Sequence, residues 1–93
     1  MAIKTFRSND TRDLFAGKRI RRWAGIEAVA MRKLAMLSRA ALLDDLRVPP
    51  GNRLEAMKGD RKGQYSVRVN DQWRVCFVWT GTDAEAVEIV DYH

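Results

Sequence analysis

Apolar and polar positions along this chain of 93 residues follow one period in the first half and another in the second. From Ile26, apolar side chains recur at Val29, Ala30, Leu34, Leu37 and Ala41, with Arg32, Lys33 and Arg39 falling between them. Steps of three and four residues place the first set on one side of a helix, so the pattern predicts one long amphipathic helix. Ahead of it, residues 3–6 alternate as a short strand does. Asn9 or Asp10 then stands where a helix cap is needed for Leu14 and Phe15, and Gly17 is a natural stop. The run Pro49-Pro50-Gly51-Asn52 cannot continue a helix and divides the chain.

Beyond the prolines the period becomes two. Tyr65, Val67 and Val69 alternate with Gln64, Ser66 and Arg68; after the turn residues Asn70 and Asp71, Trp73, Val75, Phe77 and Trp79 alternate with Arg74, Cys76 and Val78. This predicts an antiparallel hairpin. Residues 80–84 read as another turn, 86–92 as a last strand, and 53–57 as a strand preceding the loop 58–63. Helices first and strands afterwards imply one α+β domain over 1–93, with an N-terminal strand and two helices packed on one face of a twisted, mainly antiparallel sheet.

Composition narrows the class. Apolar residues make up 46% and charged residues 31%, with a mean hydropathy of −0.38. Disorder and a membrane span both fit poorly, and residues 1–6 contain no continuous apolar segment of the kind a secretion signal carries. The expectation is a cytoplasmic protein without membrane association. One cysteine, Cys76, cannot form an internal disulfide, and one Cys with one His falls short of the usual zinc ligand set, so neither metal nor cofactor is expected.

Charge is uneven. Residues 1–50 carry eleven basic and five acidic side chains, 51–76 six and three, and 77–93 none and four. Twelve of the seventeen cations are Arg, which suits bidentate phosphate contact and stacking on bases. A polyanionic partner is one reading and a solvated, solubilising surface the other.

Candidate chemistry lies on the sheet face away from the helices. If Trp73, Val75 and Phe77 enter the core, Arg74 leaves mid-strand on the opposite, exposed face, where it needs solvent or an anion. Lys58 precedes a Gly-flanked loop that also carries Arg61 and Lys62, which reads either as a phosphate cradle or as an ordinary polar loop. Asp91, Tyr92 and His93 place a carboxylate, a phenol and an imidazole in consecutive positions, next to the apolar Val87, Ile89 and Val90. Met31, Met36 and Met57 read as core filler, Cys76 as a buried small hydrophobe, and Trp23 and Trp79 as core or rim packing.

These residues form a recognisable pattern. Lys58-Gly59-Asp60-Arg61, then Tyr65-Ser66-Val67-Arg68-Val69, then Gln72-Trp73-Arg74-Val75-Cys76-Phe77, closed by Glu88-Ile89-Val90-Asp91-Tyr92-His93, resembles the HigB-type toxins, or plasmid-maintenance killer proteins, of the RelE superfamily. The resemblance runs from Ile3-Lys4-Thr5-Phe6 to His93, and the Trp-Arg strand and terminal Asp-Tyr-His are its most specific parts. It implies a compact microbial RNase fold that cleaves mRNA in the ribosomal A site and is held inactive by a helix-turn-helix antitoxin. Operator DNA would be met through that antitoxin.

Carried over, the family's functional positions fall on Lys58, Arg74, Asp91, Tyr92 and His93. Some members have a histidine where this chain has Glu55. The implied reaction is metal-independent attack of a 2′-hydroxyl on the adjacent phosphate, which needs a proton acceptor, a proton donor and cations for the developing charge. Arg74 and Lys58 suit the charge, Asp91 or His93 with help from Glu55 the proton transfers, and Tyr92 base stacking or a phosphate hydrogen bond. Arg61, Lys62 and Arg68 would contact RNA near the site, and Arg19, Arg21, Arg22 and Arg32 would dock ribosomal RNA through phosphates. The competing expectation is a catalytically weak or inactive module that binds RNA and antitoxin in operator repression.

Overall fold

Ser8, not Asn9 or Asp10, caps the first helix: its Oγ accepts from the Thr11 amide at 3.2 Å, and α1 runs Asn9–Phe15. Ser8 is extended (φ −114°, ψ 128°), the backbone an N-cap requires. The helix ends at Ala16, and Gly17 follows at φ 95°, a left-handed conformation that glycine adopts without penalty. The structure, a computed structural model, describes residues 2–92.

The long helix is shorter than its periodicity predicts. A 3-10 turn, Arg21–Trp23, precedes it, and α2 spans Glu27–Arg39, ending where Ala40 turns extended (φ −66°, ψ 130°). Ala30, Leu34 and Leu37 are its buried stripe, whereas Ala41 lies outside the helix and exposed. Fully burying each Leu contributes roughly 1.5–3 kcal/mol, so this stripe and not the helix's own propensity holds α2 in place.

Residues 43–52 form two 3-10 turns, Leu43–Arg47 and Pro50–Asn52. Asn52 is buried between them and α2. Its Nδ2 donates to the Leu46 and Val48 carbonyls at 3.1 and 3.4 Å, and its Oδ1 accepts from Lys33 Nζ at 2.6 Å.

Four antiparallel strands follow in the order β1 (Glu55–Ala56), β2 (Tyr65–Arg68), β3 (Trp73–Trp79) and β4 (Ala84–Asp91), each paired with the next. The hairpin between β2 and β3 closes through Asn70, whose Oδ1 accepts from the Gln72 and Trp73 amides at 2.8 Å. This is the turn chemistry that Asn favours. Two expectations are corrected. The strand at 53–57 shrinks to two residues, because Arg53 takes a left-handed conformation (φ 45°, ψ 54°) that a strand cannot contain. The N-terminal strand shrinks to two parallel bridges, Ile3 with Ala84 and Phe6 with Val87, along the free edge of β4.

The inner face of the sheet meets the helices through Val67, Val75, Phe77, Val87 and Ile89, packed with Leu14, Trp23, Leu34 and Leu37. Trp23 is fully buried, edge-on to Trp73 with ring centres 6.1 Å apart. Thr11 Oγ1 accepts from the Ile89 amide at 3.0 Å and ties α1 to β4. Among the described residues no helix is long and apolar enough to cross a membrane. With helices covering one face, the other is available for chemistry.

Candidate functional site

Strand alternation sorts residues onto that second face. Register pairs Glu55 with Ser66, Ser66 with Cys76, Arg68 with Arg74, and Arg74 with Val90. Tyr92, two residues beyond Val90, returns to the same side. Arg74, Ser66, Glu55 and Tyr92 thus meet although up to 37 residues separate them in sequence.

Arg74 departs from the expectation of an exposed cation: only 6% of its surface is accessible. Its Nε donates to Ser66 Oγ at 2.7 Å, and its Nη2 to the Arg53 carbonyl at 2.6 Å and the Ser66 carbonyl at 3.4 Å. The guanidinium is covered where the chain at the left-handed Arg53 turns back against it with its carbonyl. The Tyr92 ring lies 5.5 Å from the guanidinium carbon, within cation–π range. No carboxylate among the described residues comes within ion-pair distance of Arg74. Among the described residues the buried guanidinium is thus held by neutral acceptors, and an anion would complement its charge.

Beside it opens a cleft of about 640 Å³ lined by Glu55, Met57, Lys58, Asp60, Arg61, Asp91 and Tyr92, among others. The Tyr92 hydroxyl donates to Glu55 Oε1 at 3.4 Å. Lys58 is exposed at the start of the 3-10 turn Gly59–Arg61 and forms no ion pair among the described residues. Arg61 by contrast is already engaged. It bonds Gln64 Oε1 and Glu88 Oε2, each at 3.1 Å, and Arg7 approaches the same Glu88 carboxylate at 3.6 Å.

Other expected residues divide. Asp91 stands opposite Trp73 in register, not Arg74, and reaches the cleft at its rim, where its Oδ2 accepts from Gln72 Nε2 at 3.1 Å. His93 lies outside the described residues. Lys62 is exposed beyond the loop turn, and Arg68 pairs with Asp71. Arg19, Arg21, Arg22 and Arg32 belong to the helical layer, on the opposite face of the sheet from Arg74. Arg22 sits 4.5 Å over the Trp23 ring and 3.2 Å from Asp10, Arg19 is 3.8 Å from Glu27, and Arg21 and Arg32 are exposed.

Sequence reasoning overlooked three contributors. Ser66 shares the parity of Arg68, so alternation alone puts it on the Arg74 face. The Arg53 carbonyl and the Gln72 carbonyl, which accepts from the Tyr92 amide at 2.6 Å, are backbone groups that carry no residue-type signal. Cys76 is buried as expected, and burial pushes its thiol above the usual range despite the nearby Arg61 guanidinium. Among the described residues no three His, Cys, Asp or Glu side chains gather as a metal-binding group.

Residues 4–93 match the family model described as HigB-like toxin, the RelE-like toxin of the type II toxin-antitoxin system HigB. The chain is 48% identical over 56 residues to Toxin HigB-1 of Vibrio cholerae serotype O1, covering 60% of this chain and 59% of that protein. It is 39% identical over 41 residues to Endoribonuclease HigB of Proteus vulgaris, covering 44% and 45% respectively. It therefore spans about half the length of the curated relatives it matches. A YoeB/ParE toxin from Agrobacterium tumefaciens shares its fold with a TM-score of 0.57 at 17% identity, covering 98% of this chain and 100% of that one. With a family match over nearly its whole length and the expected α+β architecture in place, the chain belongs to the HigB-like family of RelE-like toxins of type II toxin-antitoxin systems.

Proposed function

We propose that the chain is a ribosome-dependent endoribonuclease that cuts translated mRNA by attack of a 2′-hydroxyl on the adjacent phosphate, without a metal ion. The observation that carries this reading is Arg74: buried, bonded to neutral acceptors, and lying against the Tyr92 ring, which lines a cleft that also holds the Glu55 carboxylate. A scissile phosphate supplies the complementary negative charge. Lys58 at the cleft mouth adds a second cation to the charge that grows on the phosphate oxygens in the transition state.

Glu55, whose carboxylate accepts from the Tyr92 hydroxyl, takes the 2′-hydroxyl proton. The freed 2′-oxygen forms a bond to phosphorus as the bond to the 5′-oxygen breaks, leaving a 2′,3′-cyclic phosphate. The departing 5′-oxygen takes a proton from Tyr92 or, in the alternative assignment, from His93. Asp91, bonded to Gln72, steadies the strand end that carries Tyr92. The exposed Tyr92 ring also offers a stacking face to a base.

Arg61, Lys62 and Arg68 extend this basic surface around the cleft, and Arg19, Arg21, Arg22 and Arg32 give a second Arg-rich surface for ribosomal RNA. The partners of this reading are the ribosome, its mRNA and a helix-turn-helix antitoxin that brings the toxin to operator DNA; translating ribosomes place it in the cytoplasm. The test is cleavage of mRNA on programmed ribosomes with product ends analysed. The expected upstream product ends in a cyclic or 3′ phosphate, and cleavage persists in EDTA once ribosomal magnesium is controlled. A 3′-hydroxyl end rejects the mechanism. Absence of cleavage with antitoxin and operator binding retained identifies a repression module instead.

A further inference from the structure

Arg74 offers a phosphate fewer donors than its residue type suggests. A guanidinium has five N–H donors. The Nε hydrogen goes to Ser66 Oγ, and Nη2 faces the Arg53 and Ser66 carbonyls. Nη1 alone carries no hydrogen bond among the described residues, and it is absent from the buried unsatisfied polar atoms, so it keeps contact with solvent. The side of the fork most often used on an anion, Nε with one Nη, is therefore occupied by protein.

We propose that Ser66 is a positioning residue for cleavage: with the Arg53 carbonyl it clamps the Arg74 guanidinium in one plane, so that Nη1 alone is presented to the scissile phosphate. This rests on reading the cleft as a phosphodiester-cleaving site. Two contacts along the Nε–Nη2 edge of a planar group fix its rotation, which one contact cannot do. Each arm is itself fixed. Ser66 is fully buried and lies in register between Glu55 and Cys76, so its hydroxyl sits at a set height above the sheet. Arg53 owes its left-handed backbone to the turn Pro50–Asn52, and Asn52 anchors that turn in the interior. Without the hydroxyl, Nε–H has no neutral acceptor and the guanidinium rotates, carrying Nη1 off the phosphate. Misplacing a catalytic contact by an ångström costs up to about 100-fold in rate.

The test compares Ser66→Ala, Arg74→Ala, Arg74→Lys and Ser66→Ala/Arg74→Lys in single-turnover cleavage of mRNA on programmed ribosomes, across toxin concentrations. Alanine occupies the space of serine, so the sheet should fold, and circular dichroism checks it. Ser66→Ala is expected to lower the maximal rate about 10- to 100-fold while the half-saturating concentration stays within about twofold. Lysine has no Nε–H, so Ser66→Ala should cost nothing further in the Arg74→Lys chain; an equal loss in both backgrounds means a merely structural role and overturns the proposal. Nitrogen-15 NMR of the Arg74 side chain gives a second readout that needs no activity. Exchange of its Nε proton should accelerate at least about tenfold in Ser66→Ala, and unchanged exchange overturns the clamp. A Ser66→Ala chain that cleaves at the wild-type rate while Arg74→Ala is inactive defeats the clamp alone. An Arg74→Ala chain that cleaves normally defeats the reading of the cleft.

Discussion

The guanidinium of Arg74 lies under the ring of Tyr92, 5.5 Å from its centre, and the hydroxyl of the same ring reaches Glu55 at 3.4 Å. One side chain therefore touches both the cation that would hold a phosphate and the carboxylate that would accept a proton. Its two ends can be separated by substitution. Tyr92→Phe keeps the ring over Arg74 and removes the hydroxyl, so cleavage should fall about tenfold with ribosome binding unchanged. Tyr92→Ala, which also uncovers Arg74, should fall further, and equal rates for the two variants would assign the whole effect to the hydroxyl.

Glu55→Gln preserves shape and the hydrogen bond from Tyr92 while abolishing proton acceptance. The expected result is a loss of about 10²–10⁴-fold in the single-turnover rate at saturating toxin, with the half-saturating concentration nearly unchanged. An unaltered rate would pass the base role to Asp91 or His93.

Burial changes what Arg74→Ala should do. On an exposed face the substitution would leave stability nearly untouched, but here it strips hydrogen bonds from Ser66 Oγ and the Arg53 carbonyl. Denaturant unfolding should report a loss of roughly 1–3 kcal/mol alongside abolished growth arrest. Arg74→Lys should restore little activity, because an ammonium cannot engage the Ser66 hydroxyl and the cleft from one rigid plane.

Arg21 and Arg32 lie on the helical layer, remote from the cleft face. Replacing both by Ala should raise the half-saturating concentration for ribosomes several-fold and flatten its salt dependence, while the rate at saturation stays as in the parent. A lowered saturating rate would place these residues nearer the chemistry than the fold does.

The interior gives two further checks. Asn52→Ala removes donors from two carbonyls and the acceptor of Lys33, so it should destabilise the chain by about 2–4 kcal/mol in urea titration. Cys76, whose thiol is raised by burial, should resist alkylation near pH 8 in the folded protein and react fully in denaturant. Fast alkylation of the native chain would mean that β3 opens readily.

Much of this was legible along the chain because alternation is a local code. The step of two at residues 65–79 placed Val67, Val75 and Phe77 on one face and Ser66, Arg74 and Cys76 on the other, and the structure keeps that division. The step of three and four likewise marked Ala30, Leu34 and Leu37 as the buried stripe of α2. Helix ends were less legible, since capping depends on single side chains and Ser8 took the place foreseen for Asn9 or Asp10. Tertiary structure alone decided the state of Arg74. Whether a residue on the second face is exposed depends on what else folds over it, and here that is the left-handed turn at Arg53 and the ring of Tyr92. The meeting of Glu55 with Tyr92 and the opposition of Asp91 to Trp73 follow from strand register, a non-local sum of pairings that no short window of sequence contains.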